Sequence, residues 1–168
     1  MRWIGCLMLL VLAACGCQPD RPNPASASSN SITQAQPRLP TVTLWVGSAE
    51  LITEVARSPV QLQTGMMFRQ SMEENEAMLF VFPYPHQASF YMRNTSIPLS
   101  CAYLDAEGTI LEIHDLHPFN ETPVESTATN IRFVVETRQG WFERHQIQPG
   151  AVFRTSQGSL PEVLLRRP

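Results

Sequence analysis

The stretch Phe90-Tyr91-Met92-Arg93-Asn94-Thr95 runs an aromatic ring and a thioether straight into three polar side chains, the most unusual combination in the chain. With Arg69 it can form a ligand pocket. The guanidinium groups would clamp a carboxylate or phosphate, Asn94 and Thr95 would supply hydrogen bonds, and Tyr91 and the methionines would cover an apolar part. The same residues have a plainer use, in which Asn94 and Thr95 satisfy the backbone of an irregular turn and the arginines pair with Glu73, Glu76 or Glu136.

Methionine is the second source of chemistry. Met66, Met67, Met72, Met78 and Met92 fall in one stretch with His86 inside it. Thioethers and imidazoles suit Cu(I), but these methionines show no tight repeated spacing, and flexible methionines also fill small cores. His114-Asp115-Leu116-His117 sets two histidines three apart beside an acid. In a strand those positions point to opposite faces, so a surface or turn role is expected rather than a zinc or hydrolytic site with His145. For covalent catalysis the sequence has no serine at a Gly-x-Ser-x-Gly turn and no cysteine expected to lie exposed near a histidine. Glu73 and Glu74 are adjacent, a poor acid–base pair. A non-enzymatic module with no cofactor or metal is therefore expected; an uncharacterised enzyme is the minor alternative.

These residues must be positioned by short strands. TVTLWV at 41–46 alternates, a turn falls near Gly47-Ser48, and ELITEVA alternates again, predicting a hairpin. Ser58-Pro59 with Gly65 bounds a short helix, and Ser71 with Glu73 and Glu74 marks a capped turn. AMLFVF and QASFYM read as strands. LSCAYLDAEGTILEIHDL is two strands around the turn at 105–108, and HPFNETPVESTATN is a loop of functional length. IRFVVET is a strand, GWFERHQI a short helix, and Pro149-Gly150 turns into AVFRT. Seven to eight short strands and two short helices predict a mainly β fold, a small barrel or sandwich. No Gly-rich phosphate loop accompanies them.

The amino terminus, MRWIGCLMLLVLAAC, has Arg2 as a short positive region and an apolar run at 3–12 too short to span a bilayer as an ordinary helix. Leu12-Ala13-Ala14-Cys15 resembles the lipobox of bacterial lipoproteins, which implies a signal at 1–14 and acylation of Cys15, with several acyl chains as a stable anchor. Gly16 rather than Asp after Cys15 resembles outer-membrane sorting. The expected location is thus a membrane-anchored lipoprotein facing the periplasm, at the outer membrane. Residues 16–40, rich in Pro, Ser, Ala, Asn and Gln, predict a flexible tether. The domain is expected over 41–156 and a fraying or surface-padding tail over 157–168. Cys17 lies beside the anchor, and Cys101, inside an apolar strand pattern, is expected to be a small buried hydrophobe. Of 168 residues 43% are hydrophobic, the net charge is −3, and the 12 basic residues are scattered arginines, without the basic face that nucleic acid requires.

Gly65-Met66-Met67-Phe68-Arg69, Ala77-Met78-Leu79-Phe80, Phe90-Tyr91-Met92-Arg93-Asn94-Thr95, Ile97-Pro98-Leu99 and Glu136 with Gly140-Trp141 together resemble the DUF192 (UPF0127) family. The resemblance covers about residues 41–155. It implies a mainly β barrel or sandwich, often secreted or lipidated, without an established activity. Ala77 stands for the family's usual Gly, Tyr91 for Trp, Arg93 for Lys and Ser100 for Asp. The last leaves a hydroxyl where a carboxylate would pair with a base or hold a ligand. The functional expectation is an envelope lipoprotein binding a small anionic ligand or an envelope partner protein through Arg69, Tyr91, Arg93, Asn94 and Thr95, with Met/His copper handling as the alternative.

Overall fold

The computed structural model describes residues 32–165. The expected signal, Cys15, Cys17 and the tether up to residue 31 lie outside the described residues, as do 166–168. Ten strands and three short helices follow in the order β1 (Thr41–Val46), β2 (Ala49–Ala56), α1 (Pro59–Thr64), β3 (Glu76–His86), β4 (Ser89–Phe90), β5 (Leu99–Leu104), β6 (Ile110–Leu116), β7 (Val124–Glu125), β8 (Ile131–Arg138), α2 (Trp141–Arg144), β9 (Arg154–Thr155), β10 (Gly158–Ser159) and α3 (Leu160–Leu164). The mainly β expectation holds, in a sandwich-like form. An eight-stranded sheet runs β10-β9-β1-β2-β3-β8-β5-β6, and β4 and β7 form a separate ribbon. No helix among the described residues is long and apolar enough to cross a membrane.

Local signals explain most elements. Gly47 supplies the positive φ that opens the two-residue turn between β1 and β2. α1 has a complete capping box, with Ser58 accepting from the Gln61 N–H and the Gln61 side chain returning to the Ser58 N–H. β2 and β3 pair in parallel, with α1 in the crossover, while the other described ladders are antiparallel. The sheet curls so that its ends approach: Thr109 bridges Val152, and Phe153 N–H donates to Gly108 O at 2.9 Å. Among the described residues no continuous ladder closes a barrel.

Strand alternation divides the core between the two faces. Leu79, Val81, Ala102, Phe133 and Val135 pack with Trp141, Phe142, Phe153 and Leu160 on one side. Met78, Phe80, Cys101, Tyr103 and Val134 pack on the other with Met66, Met72, Ala88 and Met92. The second core is covered largely by irregular chain, which leaves room for a cavity.

Three expectations are corrected. The strand predicted at QASFYM shrinks to Ser89–Phe90, because Met92 N–H turns away to donate to Asn120 O at 2.7 Å. The tail does not fray over the described residues. Ser159 and Glu162 cap α3, and Leu160 and Leu164 are buried in the first core, a Ser-x-x-Glu signal that the sequence carries openly. The tether ends earlier than residue 40: Gln36 Nε2 donates to Gly65 O at 2.9 Å and Leu39 N–H donates to Glu54 at 2.7 Å.

Candidate functional site

One row of side chains crosses the second face of the sheet. Register pairs Glu54 with Met78, Met78 with Glu136, Glu136 with Cys101 and Cys101 with His114, joining β2, β3, β8, β5 and β6. The outer members of this row are satisfied. Glu54 accepts from Arg69 at 2.9 Å and Arg38 at 2.7 Å, and His114 Nε2 lies 3.0 Å from Glu112. Glu136, in the middle, is different. It is 5% exposed, and its Oε2 has no hydrogen-bond partner among the described residues. Burial pushes its carboxyl up to about 8, because the charged form loses hydration without gaining a compensating group.

Glu136 lines a cavity of about 220 Å³. The walls come from the end of α1 and the turn after it (Leu62, Met66, Met67), from β3 (Phe80, Phe82, His86) and from Phe90 and Met92. Phe80 and Phe90 meet edge to face with centroids 5.0 Å apart, and Phe82 meets His86 in a similar edge contact at 4.4 Å. Gly65 is required here: at φ 48° a side chain is strained, and an added Cβ would stand 3.2 Å from the Phe80 ring. His86 Nδ1, like Glu136 Oε2, is buried without a hydrogen-bond partner among the described residues.

The wall at 88–92 is held from outside by the long loop of residues 117–130. Ser126 N–H donates to Ala88 O, Ser126 Oγ accepts from Ala88 N–H, and β4 pairs with β7. The Tyr103 hydroxyl donates to Val124 O at 2.6 Å. Glu112 accepts from the Thr127 and Ala128 N–H groups; partial burial acts to raise its carboxyl, but these hydrogen bonds hold it below the usual range. Three non-glycine residues take left-handed backbone here, Phe68, Asn94 and Phe119. They are tied together, Phe68 N–H to Asn94 O at 2.7 Å and Phe119 N–H to Thr95 O at 3.1 Å. Backbone strain of this kind persists only where surrounding structure over-determines it.

The residues singled out from sequence divide. Thr95 lines the cavity, and its Oγ1 donates to Arg93 O. Tyr91 lines the rim at 38% exposure, with the Arg93 guanidinium 5.4 Å from its ring centre. Asn94 serves the left-handed turn. The two arginines do not form a clamp at the cavity. Arg69 is buried in its ion pair with Glu54, and Arg93 lies exposed in a pair with Glu121 at 2.8 Å. The plainer reading of these two thus describes their geometry, with different acidic partners. Of the methionines, Met66, Met67 and Met92 reach the cavity, while Met72 and Met78 lie in the surrounding core. His145 packs on Trp141 with ring centroids 4.3 Å apart, beside Glu74. Among the described residues no group of three His, Cys, Asp or Glu side chains is placed to hold a metal ion.

Cys101 is buried, and burial, reinforced by Glu136, pushes its thiol up to about 12, which leaves it an unreactive filler. Ser100 belongs to the opposite face. Its hydroxyl donates to Asp115 and accepts from Gly140 N–H at 2.9 Å, so the carboxylate missing at position 100 has a counterpart across the ladder. Glu136 is the residue that sequence reasoning undervalued, weighing it as an ion-pair partner and as one block of the family resemblance but not as a site residue. Its signal was an acid inside the apolar strand IRFVVET.

The DUF192 family model, described as Uncharacterized ACR, matches residues 42–155. Among solved structures, a Sinorhizobium meliloti 1021 protein described as a candidate transcription regulator is 25% identical, with a TM-score of 0.69, covering 73% of this chain and 98% of its own. A Novosphingobium aromaticivorans DSM 12444 protein of unknown function is 27% identical, with a TM-score of 0.67, covering 77% and 96%. No curated protein matches the chain. With the family match spanning nearly the whole curled sheet and its cavity, this chain belongs to the DUF192 family.

Proposed function

We propose that this protein is a non-enzymatic binding module of the bacterial envelope that holds a small ligand in the Glu136 cavity. One observation carries the reading: a buried carboxyl with an unpartnered oxygen faces a preformed pocket walled by Phe80, Phe82, Phe90 and methionines. Pockets of this make-up, mostly apolar with few polar groups, are what small-molecule sites require. A binding role is favoured over catalysis because the nearby thiol is held protonated and Glu136 has no second acid beside it in the lining. The anionic ligand suggested by Arg69 and Arg93 loses its support, since both guanidinium groups are engaged with carboxylates.

Native mass spectrometry of the full chain, extracted from envelopes in mild detergent, tests the site. Wild type should carry an adduct that Leu62→Trp, which crowds the cavity wall, loses. An adduct retained by Leu62→Trp would place binding elsewhere.

The anchor is part of the proposal. The lipobox at 12–15 supports acylation of Cys15, and Gly16 supports delivery to the outer membrane with the domain in the periplasm. Copper is a second reading, favoured by Met66, Met67, Met92 and His86 sharing one cavity. Competition with a Cu(I) chelator would support it by a stoichiometric site that Met66→Leu weakens.

A further inference from the structure

We infer that the cavity selects a small organic cation, a primary ammonium on an apolar or aromatic body, with Glu136 as its counter-ion. The inference rests on the cavity being a ligand site and adds the chemical class of the ligand.

The polar inventory of the lining points one way. The Thr64 hydroxyl is spent on Val60 O and the Thr95 hydroxyl on Arg93 O. Gly65 O already accepts from Gln36. Among the described residues no arginine lines the cavity, and the chain has no lysine. What remains buried and without a partner in the lining is a Glu136 carboxyl oxygen and the His86 Nδ1, with the exposed Gln63, Ser89 and Tyr91 completing the polar groups. An anion would meet the Glu136 oxygen with no arginine or lysine to balance it, whereas an ammonium meets an acceptor that the fold leaves open. The walls agree, because aromatic faces carry negative potential and attract cations, most strongly where water is excluded. A volume of about 220 Å³ also exceeds what a bare ion fills and accommodates an organic body.

The proton balance follows. In the empty cavity the buried carboxyl holds its proton at neutral pH. Binding joins R–NH₃⁺ to the carboxylate and releases that proton to solvent, so the complex keeps one positive and one negative charge in contact. Other ionisable groups face Glu136 from each packed element. Cys101 flanks it on β5, while Glu54 on β2 and His114 on β6 stand farther along the row. Arg132 shares its β8 face, and His86 lines the same cavity from β3. Glu54 is held by Arg69 and Arg38, and His114 is paired with Glu112.

Calorimetry on the full chain in nonionic detergent, with protein-free detergent as baseline, compares 2-phenylethylamine, 2-phenylethanol and phenylacetate. The amine should bind at least about tenfold tighter than the alcohol, and phenylacetate should not bind. Amine affinity should fall about tenfold per pH unit below about 8, with close to one proton released per amine. Glu136→Gln should abolish both the amine's advantage and the pH dependence while keeping alcohol binding; Leu62→Trp should weaken amine and alcohol alike. Equal binding of amine and alcohol, both sensitive to Leu62→Trp, would overturn the cation inference and leave the cavity reading standing. No binding of any probe to protein with native near-ultraviolet circular dichroism would overturn both.

Discussion

Glu136 costs the fold stability at neutral pH. Its carboxyl midpoint rises from 4.5 to about 8 on folding. Below pH 4.5 both folded and unfolded chains hold the proton, and no penalty exists. Between the two midpoints the unfolded chain ionises while the folded one does not, so the folding constant declines by up to about tenfold per pH unit. Above about 8 the loss levels off. Urea melts of Glu136→Gln should therefore match wild type near pH 4 and show a variant more stable than wild type at pH 8; equal stability at both would mean that the carboxyl is compensated. The arginines make a contrasting pair. Arg69→Ala removes the buried partner of Glu54, leaving the carboxylate only the exposed Arg38 and the Leu39 N–H, and should cost about 1–3 kcal/mol. Arg93→Ala removes an exposed pair and should leave the denaturation midpoint unchanged. Sequence alone marked Arg69, Tyr91, Arg93, Asn94 and Thr95. Two of these line the cavity, but Glu136 was undervalued because its neighbours, Met78 and Cys101, come from distant strands.

At the scale of elements, the local signals were readable wherever the physics is local. The capped helix from Ser58 to Gly65, the hairpin around residues 105–108 and the strand IRFVVET all appear as expected. The parallel pairing of β2 with β3 was not legible, since nothing in either strand specifies which partner lies across a crossover. The left-handed backbone at Phe68 and Phe119 was equally hidden, because bulky residues adopt it only under tertiary constraint. Two substitutions test these elements. Gly65→Ala forces a side chain into strained backbone against Phe80 and should cost about 1–3 kcal/mol, read by thermal unfolding, with weaker ligand binding. Leu160→Ala should cost about 2–5 kcal/mol if α3 is a true part of the first core, whereas a loose tail would tolerate it.

For the whole molecule, the curled sheet gives its two faces different work. The side that gathers Phe133, Trp141, Phe142 and Phe153 is one buried apolar cluster that holds the sheet together. The other side is roofed by α1, the 66–72 turn and the 117–130 loop, and contains the cavity. The proposed acylation of Cys15 is tested apart from the cavity. Cys15→Ser should abolish palmitate labelling and membrane retention while leaving the domain's fold unchanged; a variant still labelled would contradict the assignment of the lipidation site. The most direct measurement of the central claim is a carbon-13 titration of the Glu136 side-chain carboxyl by nuclear magnetic resonance, with and without 2-phenylethylamine. The account predicts a midpoint of about 8 in the free protein, falling well below neutrality when the amine is bound. A midpoint near 4.5 in the free protein, unmoved by the amine, would show a carboxylate already satisfied and contradict it.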